Sequence, residues 1–129
     1  MTEETQKDSK LLDSSIWLGY FLYGEFSEII EKDDFLYLSV LSLFEVQRKL
    51  NKTSLKKEDI EKGIFLMRRK SIILELTEDI VDKAVSISIE KNIPSIDSMI
   101  YATSLLKNMP VYTKDNDFRE LKNAVVLNS

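Results

Sequence analysis

Short apolar runs and longer stretches of helical spacing take turns along this chain from about residue 10 onward. "SKLLDSS" holds an apolar pair ending at Asp13, and "FLYLSV" (35–40), "SIILEL" (71–76), "PVYT" (110–113) and "NAVVLN" (123–128) are likewise short and rich in β-branched or aromatic residues. These five runs predict strands. Ser14 or Ser15 is placed to cap a helix through "IWLGYFLYGE", and a short helix is expected over "FSEIIEKD", with Asp33 and Asp34 in a loop. Leu43, Val46 and Leu50 space a third helix with Glu45 near its start. Thr53 or Ser54 is expected to cap a fourth, with Leu55, Ile60, Ile64 and Met67 roughly on one side. Thr77 opens a fifth, in which Ile80, Ala84, Ile87 and Lys91 follow helical spacing. Pro94 and Ser95 open a sixth, whose apolar set is Ile96, Met99, Ile100, Thr103 and Leu106. Short apolar strands separated by helices predict an α/β fold, a parallel sheet covered on both faces.

The length of 129 residues suits one domain, expected over residues 11–129 behind a polar tail at 1–10, "MTEETQKDSK". That start lacks the basic and apolar stretches of a signal peptide, and no apolar segment approaches the ~20 residues of a membrane span. A cytoplasmic protein with no membrane contact is expected. Composition then narrows the chemistry sharply, because the chain has neither cysteine nor histidine. Disulfides, thiol nucleophiles, Cys or His zinc sites and Ser-His arrangements are excluded. Acid, base or metal chemistry falls mainly to carboxylates, which select hard cations such as Mg²⁺ or Mn²⁺.

The net charge of -4 is unevenly distributed. Residues 48–70 carry nine Lys or Arg against three acids, a local +6 that leaves -10 for the remainder. Such a segment could contact phosphates, or it could be no more than the solvated faces of two helices.

Ligands of an open parallel α/β sheet bind beyond the carboxyl ends of its strands. Asp13 ends the first strand, Asp115 follows the fourth, Asp97 lies in the first turn of the sixth helix and Glu45 near the start of the third. Each alone has an ordinary explanation: Asp97 complements a helix dipole, Asp115 and Asp117 form turns, Glu45 is a surface residue. Asp13 fits such an account least, since a lone charge at a wrapped strand end is costly to bury. Four converging carboxylates raise one another's pKa values and are unfavourable unless a cation neutralises them. One or two divalent ions bound there could activate water for attack on a phosphodiester without histidine.

"LLDSS", "SLFEVQRKL", "IPSIDSMIYATS" and "VYTKDNDF", in this order from Leu11 to the C-terminus, resemble the motifs of PIN-domain ribonucleases, especially the small VapC-type toxins. The resemblance implies a three-layer α/β/α fold with a five-stranded parallel sheet of order 3-2-1-4-5. It also implies Mg²⁺- or Mn²⁺-dependent endoribonuclease activity using one or two ions, an RNA substrate, a homodimer and an antitoxin protein. By motif, Asp13, Glu45, Asp97 and Asp115 correspond to the four catalytic, metal-binding acids, and Asp117 to a frequent fifth acid acting as a further ligand or a cap. Ser15 and Thr113 correspond to hydroxyls that orient the acids, and Phe118 to a packing residue. Lys49, Lys52, Lys56, Arg68 and Arg69 are the candidates for holding RNA. Two departures stand out: ten residues precede the first strand, and Tyr101 occupies a position where the family tends to have a small residue, either narrowing the pocket or sealing the helix to the sheet.

Other readings remain. An RNA-processing PIN nuclease without an antitoxin, or a PIN-like module that has lost catalysis, would share these motifs. A phosphorylated receiver-like module would need an acceptor Asp after the third strand and a Lys after the fifth. The third run ends "LEL" before Thr77, and nothing basic follows the last.

Overall fold

The computed structural model describes residues 8–32 and 35–128. The strands are β1 (Lys10–Leu12), β2 (Leu36–Ser39), β3 (Ser71–Leu74), β4 (Val111–Thr113) and β5 (Ala124–Val126). They form one sheet of order β3-β2-β1-β4-β5, and every neighbouring pair is parallel. β1 is therefore central, with Leu11 opposite Tyr37 on one side and Val111 on the other. The helices are α1 (Ser14–Tyr23), α2 (Ser27–Lys32), α3 (Val40–Asn51), α4 (Lys57–Lys70), α5 (Glu78–Lys91) and α6 (Ser95–Leu106), with a 3-10 turn at Asn116–Phe118.

The two-residue period of the strands divides the core. Leu12, Leu36 and Leu38 face one way and pack with Ile16, Trp17 and Leu18 of α1, Ile30 of α2, Leu43, Val46 and Leu50 of α3, and Ile60 and Met67 of α4. Leu11 and Val111 face the other way and pack with Ile80, Ala84 and Ile87 of α5, Ile100, Tyr101 and Ala102 of α6, and Phe118. Three layers result, α1–α4 over one face and α5–α6 over the other. No helix among the described residues is long and apolar enough to cross a membrane.

Several local expectations are corrected by how the side chains are used. Neither Ser14 nor Ser15 caps α1. Asp13 takes the cap position without a side-chain cap bond, while both hydroxyls point to carboxylates. Thr53 closes α3 instead of opening α4, donating to the Leu50 carbonyl at 2.6 Å, and Lys56 precedes α4 without a side-chain cap. α3 begins at Val40, earlier than its apolar spacing suggests, because Ser39 accepts from the Leu41 N–H. Thr77 does cap α5, accepting from the Ile80 N–H. Lys91 is exposed, so the buried row of α5 ends at Ile87. On α6 the buried set runs Ser98 and Ile100 through Ser104, whereas Ile96 and Leu106 are exposed, because this helix is covered over most of its circumference.

Residues 1–7 of the expected tail, and the loop acids Asp33 and Asp34, lie outside the described residues. Lys10 opens β1, and Ser9 before it is buried. At the end of α1, Gly24 adopts φ 69° and Phe26 adopts φ 60°. A left-handed conformation is free for glycine but costs about 1–3 kcal/mol at a bulky side chain, so surrounding contacts must enforce it at Phe26.

Candidate functional site

The carboxyl ends of β1, β2 and β4 open into a cleft of about 440 Å³ whose lining includes Asp13, Glu45, Asp97 and Asp115. Asp13 arrives directly from β1 and is buried, which a charge tolerates only with partners. Its Oδ2 accepts from Ser15 Oγ at 2.9 Å and from Thr113 Oγ1 at 2.8 Å, a bond between residues 100 apart in sequence that ties β1 to β4. Ser15 Oγ also accepts from the Lys114 N–H at 2.9 Å, and Thr113 Oγ1 from the Asp115 N–H at 3.0 Å. Two hydroxyls thus fix both a carboxylate and the backbone that carries the next one.

Glu45 enters from the second turn of α3 and accepts from Ser14 Oγ at 3.3 Å. Burial, and next the charge of Asp13, push its pKa up, while the Ser14 hydroxyl and Lys49 oppose the rise. Asp97 enters from the first turn of α6. An acid serving only to complement that helix end would be stabilised as the anion. Asp97 is instead pushed up to about 7, by burial first and then by Asp115, Asp13, Asp117 and Glu45. Four other acids therefore act electrostatically on Asp97, where their repulsion accumulates.

Asp97, Asp115 and Asp117 each offer a carboxylate oxygen within 4.8 Å of the other two. Asp13 and Glu45 stand beside this group and outside it. Asp115 also accepts from the Asp117 N–H at 2.8 Å, so it caps the 3-10 turn while facing the cleft. Turn former and potential ligand are the same residue. An all-oxygen, strongly anionic donor set with a perturbed carboxyl at its centre fits a hard divalent cation.

Tyr101 is buried and meets Phe118 edge-on at 6.4 Å, outside the cleft lining; it seals α6 to the sheet. Of the basic candidates, Lys49 lines the cleft, whereas Lys52 and Lys56 are exposed on the segment joining α3 to α4, and Arg68 and Arg69 on α4. Arg69 lies 5.8 Å from the Phe65 ring centre on its own helix. Sequence reasoning passed over Lys114, a second cation of the cleft, and the role of Ser14. Lys114 lies in "VYTKDNDF" between two residues singled out there, but nothing in that string announces which way its side chain turns.

The PIN-domain family model matches residues 10–124. No curated protein matches the chain by sequence. Among solved structures, a toxin–antitoxin complex from Klebsiella pneumoniae superposes with TM-score 0.79 at 21% identity, covering 92% of this chain and 97% of that one. VapBC2 from Rickettsia felis, bound to a DNA fragment from its promoter, gives 0.74 at 18%, with coverage of 92% and 97%. The sarcin-ricin-loop-cleaving toxin VapC20 of Mycobacterium tuberculosis gives 0.72 at 17%, with coverage of 94% and 100%. At such identities the likeness is one of fold.

Proposed function

Since the chain belongs to the PIN-domain family, whose model spans residues 10–124, we propose that it is a divalent-metal-dependent endoribonuclease and the toxin of a toxin–antitoxin pair. The observation that carries this reading is the set of Asp97, Asp115 and Asp117 oxygens within 4.8 Å of one another, with Asp97 pushed up to about 7. The toxin assignment is supported by the similar folds of the Klebsiella and Rickettsia complexes and of VapC20, a toxin that cleaves the sarcin-ricin loop. The same likeness supports an antitoxin partner; a homodimer working in the cytoplasm belongs to the same proposal and rests on the motif resemblance.

Asp97, Asp115 and Asp117, with Asp13 alongside, would hold Mg²⁺ or Mn²⁺. Such an ion, when bound, supplies positive charge to a phosphodiester and lowers the pKa of water. The remaining roles belong to the chain. Ser15 and Thr113 hold Asp13 in one orientation by two short hydrogen bonds. Glu45, its pKa raised by burial and by Asp13 and its carboxylate steered by Ser14, is suited to take a proton from the attacking water. Lys49, and across the exposed surface Lys52, Lys56, Arg68 and Arg69, supply attraction for a polyanion.

The test is cleavage of a structured RNA pool by the pure protein in EDTA, Mg²⁺ or Mn²⁺, alongside Asp97→Asn and Glu45→Gln. Metal-dependent cutting is expected, lost to background in the first variant and reduced on the order of a hundredfold or more in the second. Folded, inhibitor-free protein that cuts nothing in any metal would overturn the reading.

A further inference from the structure

Lys114 is held by an ion pair and an aromatic ring at once. Its Nζ donates to Glu25 Oε1 at 2.9 Å and sits 5.8 Å from the centre of the Phe26 ring, and both members of the ion pair are largely shielded, at 30% and 20% side-chain exposure. Its own backbone is pinned by Ser15. The residues that position Glu25 look expensive for a mere surface tether. Gly24 and Phe26 on either side of it are both left-handed. The turn folds back so closely over α1 that a Cβ on Gly19 would meet Glu25 Oε1 at 2.7 Å and Phe26 Cε2 at 2.9 Å. Strain of this kind persists where surrounding structure over-determines it, and it gathers at ligand-holding sites.

The direction of the side chain matters as much as its restraint. Lys114 lies in sequence between Thr113 and Asp115, beside the acid cluster, yet it pairs with none of the cleft carboxylates. Lys114 is thus not spent on neutralising the acids. It lines the wall of the cleft formed with Gly19, Leu22 and Tyr23, while Lys49 comes from α3. A lysine ammonium has three donors, and one is engaged by Glu25. A polyanion crossing an acidic floor needs cations on the walls, and a cation already ordered loses little freedom on making the contact.

We propose that Lys114 is a phosphate-contacting residue of this cleft, held ready by Glu25 as its positioning residue, so that an RNA backbone crossing the carboxylates lies against it. This rests on the ribonuclease reading above and adds a residue that reading does not use.

The experiment measures binding of a short fluorescein-labelled single-stranded RNA of mixed sequence by anisotropy across a salt series in Mg²⁺. Asp97→Asn serves as the uncut background, and the RNA is checked for integrity. Adding Lys114→Gln is expected to weaken binding and to lower the slope of log affinity against log salt by about 0.7, the value of one phosphate contact on a single strand. Lys114→Arg should keep the slope. A purely structural ion pair could change stability or affinity but would leave the slope as it was. A slope unchanged by Lys114→Gln overturns this inference while leaving the ribonuclease reading intact; no binding by the background protein also overturns this inference, and the cleavage test above decides the ribonuclease reading separately. Should Lys114→Gln fail to fold, lysine acetylation footprinting of the background protein decides. Protection of Lys114 on adding the RNA supports the contact, and undiminished reactivity with RNA bound removes it.

Discussion

Asp97 is the residue at which the electrostatics of the cleft can be read from outside. Its pKa moves from 3.8 to about 7 on folding, so between those values the native chain holds a proton that the unfolded chain has released. Stability then falls as pH rises through that window, because the native state binds more protons there. Without divalent metal, thermal unfolding in EDTA should show Tm declining from about pH 4 toward pH 7, and Asp97→Asn should flatten that decline. A parent and variant with parallel pH profiles would contradict the assignment. Divalent cations compete with the same proton, so their affinity should rise over the same interval. At this scale the sequence was informative where chemistry is carried by residue type: with no histidine or cysteine, attention goes to Asp13, Glu45, Asp97, Asp115 and Asp117, and the structure brings all five to one end of the sheet. It was silent about Lys114 and Ser14, whose importance lies in a rotamer and in a partner 89 or 31 residues away.

Elements were legible in proportion to how far their pattern depends on burial. The five strands and six helices follow from apolar period, because a covered parallel sheet leaves few polar interruptions. Boundaries were less legible, since Ser14, Ser15 and Thr53 all have the composition of a helix start and the fold uses each hydroxyl for something else. The join between α1 and α2 shows why such details matter. Alanine suits a helix interior better than glycine by about 1 kcal/mol, yet at Gly19 a Cβ would collide with the Glu25 carboxylate and the Phe26 ring. Overpacking typically costs about 1–3 kcal/mol, so Gly19→Ala should be destabilising by about 1 kcal/mol net. Gly63→Ala on α4, where the nearest atom is a Phe21 ring carbon at 3.3 Å, should be neutral or stabilising by a few tenths. Urea denaturation of both variants provides the check; a Gly19→Ala protein as stable as the parent would show that the turn yields more easily than its geometry suggests.

Across the whole molecule, the acids come from four separate places, the end of β1, α3, α6 and the segment after β4, so a cation held among them would act as a clamp. Ligands that bind only the native state stabilise it by mass action, about 2.7 kcal/mol at a hundredfold excess over Kd. Saturating Mn²⁺ should therefore raise Tm by several degrees, and Asp97→Asn should abolish the gain, as scanning calorimetry would record. The clamp also has an order in time. The central strand is the first to be synthesised, but one of its two neighbours is β4, and Asp13 meets Thr113 only after a hundred further residues exist. Translation supplies about 5–20 residues per second, so for several seconds each growing chain possesses Asp13 and Glu45 without the partners that would make them a site. Strand order alone therefore delays assembly: on the ribonuclease reading, the nascent chain carries its first two acids for seconds as ordinary surface carboxylates, and becomes a cleft only once the segment after β4 has been added.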